Sequence, residues 1–161
     1  MCIDPDVEYR ALITTNMGEF TVDLDQQQAP VTVNNFVFLA RNGYFDGTVC
    51  HRIIPGFVVQ CGDPEGTGLG GPGYQFADEL PQAGEYLLGS IAMANSGPDS
   101  NGSQFFIITG QQGVELPPAY ALFGQVADGF DETVKPIEAV GTPEGAPSEP
   151  VEISSVTILV A

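Results

Sequence analysis

Val49, Ile53, Ile54, Phe57, Val58 and Val59 form an apolar, mostly β-branched run broken only by Pro55-Gly56, which demands two strands joined by a tight turn. Inside that run stands Arg52, one of four cationic side chains in the protein. A hairpin with a guanidinium in its wall can let the side chain reach solvent, pair it with a carboxylate, or line a pocket in which a ligand supplies the acceptor. Taken alone, the stretch favours the ion pair. The second half of the chain reverses that preference.

The rest of the sequence is built from similar short pieces. Tyr9 to Thr15 and Glu19 to Leu24 predict a first hairpin around Asn16-Met17-Gly18. After a connection over Asp25 to Ala29, Pro30 suits a first helical position, Val33, Phe36, Val37 and Ala40 recur at helical spacing, and Asn42-Gly43 supplies a stop. Gly62 to Gly73 is too rich in glycine to be regular. Strands are predicted over Tyr86 to Ala94, Gln104 to Thr109, Tyr120 to Val126 and Val151 to Val160, the last preceded by the extended surface segment GTPEGAPSEP, 141–150. Gly129 to Ala139 reads as a second helix that Pro136 bends. Many short strands with two helices predict a mainly β, closed antiparallel barrel, and 161 residues without repeats suit a single domain over 1–161.

Charge narrows the partners. Four basic against 21 acidic residues leave a net charge of −17, a field that repels phosphate backbones and anionic lipid and so argues against nucleic acid and membrane insertion. No apolar run of membrane-spanning length and no charged-then-apolar leader occurs, so the sequence reads as a soluble chain without a visible address, cytoplasmic or extracytoplasmic after removal of an upstream segment.

Several apparent motifs fail their context. Gly66, Gly68 and Gly71 satisfy GxGxxG, but Pro72-Gly73 follows where a helix would have to begin. Asp99 to Ser103 lacks the frame and the later glutamate of a calcium loop, and Asn101-Gly102-Ser103 is a formal glycosylation sequon without secretory context. His51 is the only histidine. Strand alternation turns it away from Arg52, and a hydrogen-bonded structural role is expected of it.

The second informative stretch is GSIAMANSGPDSNGSQFFIIT, Gly89 to Thr109. Ala92, Ala94, Ser96 and Gly97 leave backbone accessible, Asn95 and Gln104 offer amides, and a strand through Phe105-Phe106 turns one ring inward and the other to the opposite face. Together with HRIIPGF, FVVQ and the later LPPAYALFGQV, the order and types of residue resemble the cyclophilin family of peptidyl-prolyl cis-trans isomerases over about Tyr9 to Val160. The resemblance implies an eight-stranded cyclophilin-like barrel with two capping helices. It also implies a folding catalyst for X-Pro bonds in unfolded or flexible chains, working as a monomer without metal or cofactor. A non-catalytic proline-peptide binding or chaperone module on the same barrel is the alternative.

Carried over position by position, the resemblance makes Arg52 the catalytic arginine, Phe57 and Phe106 the lining of the proline pocket, and Leu116 its closing side. Val58 stands where the family often has methionine. Gln60 and Gln104 match polar substrate contacts, Ala94 with Asn95 matches the backbone edge that holds an extended peptide, and Gly66 to Gly73 matches a glycine-rich rim. Glu115 replaces a common tryptophan, which bears on cyclosporin-type ligand affinity rather than on the chemistry. Tyr120 replaces a frequent histidine while keeping an aromatic wall with a hydroxyl.

The cysteines pose a separate question. With Pro55 and Gly56 as the two turn residues, Arg52 opposes Val59 and Cys50 opposes Cys61. Directly opposed Cβ atoms lie about 4.5 to 5.5 Å apart, slightly beyond the 3.5 to 4.5 Å preferred by a disulfide. Two reduced thiols filling small volumes are the favoured reading. The bonded alternative would imply an oxidising compartment, stiffen the hairpin that carries Arg52 and leave Cys2 unpaired.

Overall fold

The computed structural model of the protein describes residues 1–160, and its strands fall where apolar side chains alternate. In the first hairpin, β1 (Tyr9–Thr15) pairs antiparallel with β2 (Gly18–Leu24), and Ala11, Ile13, Phe20, Val22 and Leu24 turn inward. Helix α1 (Pro30–Arg41) starts at the expected proline and buries Val33, Phe36 and Val37. Its Phe36 ring lies 5.1 to 5.6 Å from the rings of Phe45, Phe105 and Phe123, an aromatic cluster at the centre of the main core.

The remaining strands are β3 (Arg52–Ile54), β4 (Val58–Cys61), β5 (Ser90–Met93), β6 (Phe105–Ile108), β7 (Leu122–Asp128) and β8 (Ile153–Val160). All eight join one antiparallel sheet, in the order β3-β4-β6-β5-β7-β2-β1-β8, that curls into a half-barrel around the core. The end strands β3 and β8 share no ladder. A lone bridge between Val49 and Glu152 and a Cys50 N–H bond to the Val151 carbonyl (2.9 Å) span part of that gap. The 141–150 segment lies along β3, with Ile53 donating to Gly145 O at 2.8 Å.

Several predicted elements are corrected. β5 begins at Ser90 rather than Tyr86, because Gly89 takes a left-handed φ of +85° and the chain bends out of the sheet before it. A one-turn helix α2 (Gln111–Val114) was not anticipated. It follows Gly110, where a Cβ would collide with the backbone of Gly56. The second predicted helix is two pieces, a π-helical turn over Phe130–Val134 and then α3 (Lys135–Ala139). Pro136 sits in the first turn of α3, directly after the π-helical turn.

The most consequential correction concerns the central hairpin. Its ladder pairs Arg52 with Gln60, Ile53 with Val59 and Ile54 with Val58, around a three-residue loop Pro55-Gly56-Phe57 in which Gly56 has φ +78°. The two-residue turn expected from Pro-Gly is thus replaced by a longer one, and the register moves by one residue. Because a slip of one exchanges the two faces of a strand, this decides that Gln60, and not Val59, stands beside Arg52. Cys50 and Cys61 are nevertheless bonded, with Cα atoms 4.0 Å apart, so the expectation of reduced thiols is overturned. The bridge between Val49 and Asp63 keeps the same register below Arg52, so Cys61 is offset by one residue from the position opposite Cys50, and the bond crosses where Cys50 and His51 leave the regular strand. Both cysteines are buried in the main core, whereas Cys2 is an exposed free thiol.

Two buried carboxylates hold the loops at either end of this hairpin. Glu138 of α3, 7% exposed, accepts the Gly56 N–H at 2.9 Å and pairs with Lys135. Asp63, 0% exposed, accepts backbone N–H bonds from Glu65, Thr67 and Gly68 at 2.8, 2.9 and 2.6 Å. Burial works to raise the pKa of both, but the bonds to Asp63, and the Lys135 and Gly56 donors on Glu138, outweigh it and hold each below its ordinary value.

Two measurements test these restraints. Closing a loop of sequence separation 11 removes denatured-state entropy, so Cys50→Ala/Cys61→Ala should lose about 3 kcal/mol of stability in urea titration. Three titratable thiols in the unfolded, unreduced protein would show that no bond exists. Carboxylates with depressed folded pKa values stabilise above their unfolded values, 3.8 for Asp63 and 4.5 for Glu138, and that contribution disappears as pH falls through the lower folded values. Both groups should therefore contribute in full near neutral pH, where stability does not vary with pH on their account, and stability should drop below about pH 4, with Asp63→Asn and Glu138→Gln each flattening the acid limb of a Tm-against-pH curve.

Candidate functional site

Side chains of directly paired residues share a face of the sheet, and the ladders set one row across five strands: Arg52, Gln60, Phe106, Ala92 and Leu122. Ile54, Val58 and Ile108 form the neighbouring row on the same face. The alternate residues Ile53, Val59, Ile107 and Ile91 enter the main core. The sheet is thus apolar on both faces in this region. Val58, Ala92, Phe106 and Ile108 make a second, smaller core with Tyr86, and Phe57, Ala94, Leu116, Tyr120 and Leu122 pack around it. Phe105 faces the main core and Phe106 this one, the division expected for a strand.

Over this second core lies a groove of about 350 Å³. Phe57 lines it from the hairpin loop, Val58 and Phe106 from β4 and β6, Leu116 and Tyr120 from the segment after α2, and Ala94 and Asn95 from just beyond β5. The Phe106 and Tyr120 rings meet edge to face, with centroids 5.3 Å apart and planes at 87°. Tyr86 fixes that wall: its hydroxyl donates to Tyr120 O at 2.7 Å and accepts the Tyr120 N–H at 3.1 Å. Burial pushes the Tyr86 hydroxyl pKa up to about 12 against the lowering effect of its bond to Tyr120, so it remains a donor.

At the open edge stands Arg52. Its guanidinium carbon is 5.7 Å from the centre of the Phe57 ring, and its Nη1 donates to Gln60 Oε1 at 3.2 Å. Gln60 Nε2 donates to Gln104 Oε1 at 3.0 Å, and Gln104 Nε2 donates to the carbonyls of Gly68 and Gly70 at 2.9 and 3.0 Å. Among the described residues no carboxylate pairs with Arg52; the ion pairs are Arg10 with Asp23 and Lys135 with Glu138. The ion-pair reading of the hairpin is therefore set aside. Gly145 packs against the Arg52 stem, where a Cβ would come within 3.1 Å of Arg52 Cγ. A wider depression of about 1120 Å³ near the N-terminal segment contains Arg10, but that cation is already paired with Asp23.

The structure brings nine of the ten residues singled out in the sequence to the groove wall, and it holds the tenth, Gln104, directly behind Gln60. Asn95 differs in detail. Its side-chain amide donates to Ala119 O at 2.9 Å and accepts from Gly97 N at 3.2 Å, so it shapes its own loop. His51 departs further: it lines the groove with Arg52, and its buried Nδ1 has no hydrogen-bond partner. It lies before the regular strand, where alternation does not apply. Desolvation lowers its pKa, opposed by Asp63 and reinforced by Arg52, which keeps the ring neutral at pH 7. Thr67 and Gly68 of the 66–73 rim line the groove as well, whereas Tyr86 was missed because its role depends on contacts far away in sequence.

The comparisons with known proteins agree with this geometry. Residues 10–158 match the family model described as cyclophilin type peptidyl-prolyl cis-trans isomerase/CLD. The chain is 42% identical over 165 residues to the probable peptidyl-prolyl cis-trans isomerase B of Mycobacterium tuberculosis, covering 91% of this chain and 53% of that one, so it spans about half the length of this relative. It is 42% identical over 171 residues to peptidyl-prolyl cis-trans isomerase A of the same species, covering 92% and 91% of the two chains. Among solved structures, a cyclophilin type peptidyl-prolyl cis-trans isomerase of Cryptosporidium parvum superposes with TM-score 0.85 at 34% identity, covering 94% of this chain and 98% of its own. The same protein in the presence of the dipeptide Ala-Pro gives TM-score 0.84. From the strand rows to the matched span, the chain belongs to the cyclophilin-type peptidyl-prolyl cis-trans isomerase family.

Proposed function

We propose that the chain catalyses cis-trans isomerisation of X-Pro peptide bonds in unfolded or flexible polypeptides. The observation that carries this reading is a guanidinium without a carboxylate partner at the edge of an aromatic groove. A non-catalytic binding module would need only the groove.

Isomerisation makes and breaks no bond between heavy atoms. The barrier of roughly 18 to 20 kcal/mol arises because rotation destroys amide conjugation. As the bond twists, the proline nitrogen regains a lone pair, and a donor aimed there binds the twisted state better than either planar one. Arg52 supplies that donor. One preorganised donor in a dry site contributes about 3 to 4 kcal/mol, or two to three decades of rate. Phe57, Phe106 and Leu116 clamp the ring, with Val58 and Tyr120 completing its walls. Gln60 contacts the peptide beside it, with Gln104 bonded behind it, and the backbone at Ala94 and Asn95 holds the chain on the other side.

On this reading the protein acts as a monomer and a single domain, with its β3 and β8 edges closing the barrel through the 141–150 segment. Glu115 in place of an aromatic weakens a cyclosporin-type contact. The Cys50–Cys61 bond suits an oxidising compartment.

Arg52→Ala should lower kcat/KM at least tenfold in a protease-free assay on short X-Pro peptides, with circular dichroism unchanged. An unaltered rate would remove Arg52 from the mechanism.

A further inference from the structure

We propose that Asp63 is a positioning residue for this reaction, acting through the 63–70 loop, Gln104 and Gln60 to aim Arg52. The inference rests on the role given to Arg52 above and extends it to a buried carboxylate that does not itself line the groove but holds the lining residues Thr67 and Gly68.

Asp63 is wholly buried and gathers the N–H groups of Glu65, Thr67 and Gly68 around its two oxygens, while Gly66 donates to its main-chain carbonyl at 3.1 Å. A Cβ at Gly70 would collide with the carboxylate, so the loop closes tightly upon it. With the N–H groups of the loop turned inward to Asp63, the carbonyls of Gly68 and Gly70 are left to face Gln104. Carbonyls only accept, so Gln104 must present its NH2 group to the loop and its oxygen to Gln60. Gln60 must then present its NH2 to Gln104 and its oxygen to Arg52, which only donates. The two ends of the chain thus impose the same direction on both amides. A loop that let go of Asp63 would free Gln104 to flip, and Gln60 could turn a donor toward the guanidinium, pushing it from the groove.

The test compares wild type, Arg52→Ala, Asp63→Asn, Gly70→Ala, Gln104→Ala and Asp63→Asn/Gln104→Ala on one X-Pro peptide, with circular dichroism for fold. Asparagine keeps the size at 63 but turns a donor toward the loop N–H groups. Asp63→Asn is expected to lower kcat about fivefold or more with KM changed by less than about twofold, and to move the Arg52 Nε resonance in the NMR spectrum. Because both residues act along one path, the double variant should fall no more than about twofold below the weaker single variant. Should Asp63→Asn fail to fold, Gly70→Ala carries the same expectations, since it disturbs the cradle while leaving the carboxylate charged. Wild-type kcat in whichever of these variants folds, or losses that multiply in the double variant, would overturn the proposal. A wild-type rate in Arg52→Ala would take the Arg52 role down together with it, whereas a slow Arg52→Ala beside a fast Asp63→Asn removes the Asp63 path alone.

Discussion

The register of β4 between β3 and β6 is the constraint on which the rest depends. Gln60 is paired with Arg52 on one side and with Phe106 on the other, so a cation, an amide and an aromatic ring stand in line on one face. A slip of one residue in either ladder would send Gln60 into the main core and bring Val59 out. The cost of that slip is large because Val59 and Ile107 are fully packed inward, and desolvating an amide without partners costs about 1 to 3 kcal/mol. Hydrophobic packing on the inner face therefore enforces polar placement on the outer one. The three-residue loop, the disulfide below and Glu138 at the tip all reinforce the same alignment.

Electrostatics set the second condition. In a protein of net charge −17, a cation has many carboxylates available to it, and Arg10 and Lys135 each find one. Arg52 is instead surrounded by Phe57, the amide of Gln60 and the stem contact with Gly145. An amide oxygen orients a guanidinium without neutralising it, and so leaves the charge available to an incoming acceptor. A carboxylate at the same place would hold the arginine more firmly and compete with the twisted substrate. Placing the Asp63 carboxylate behind the loop and the two amides of Gln104 and Gln60 would keep orientation while avoiding that competition.

Much of this was legible in the sequence because local chemistry and long-range structure agree. Pro30, the helical spacing of Val33, Phe36, Val37 and Ala40, and Asn42-Gly43 bound α1 without help from the rest of the chain. The β-branched runs gave most strands, and the blocks around Arg52 and Gln104 gave the groove. What escaped depended on partners remote in sequence. Pro55-Gly56 suggests a two-residue turn locally, yet the hairpin takes a third residue because Glu138 grips Gly56 and β4 must meet β6 in register. Tyr86 looked like the start of a strand, and only its bonds to Tyr120, 34 residues away, explain why it leaves the sheet. The disulfide escaped because a two-residue turn set Cys50 directly opposite Cys61, whereas the longer loop offsets them by one residue where Cys50 leaves the regular strand.

The glycine-rich loop shows how one feature can be read wrongly as flexibility. Gly66, Gly68 and Gly70 lack side chains, and a segment so composed has high conformational entropy when free. Here the absence of Cβ atoms is what lets the amides of Glu65, Thr67 and Gly68 converge on one carboxylate, since a side chain at Gly70 would strike Asp63 and one at Gly66 would come within 3.0 Å of Val49. The entropy lost is offset by charge-assisted bonds formed away from water, where each is stronger than on the surface. Glycine in this loop therefore serves order rather than mobility. It allows a rim of backbone carbonyls to be fixed at the height of Gln104, beside the edge of the sheet that carries Arg52.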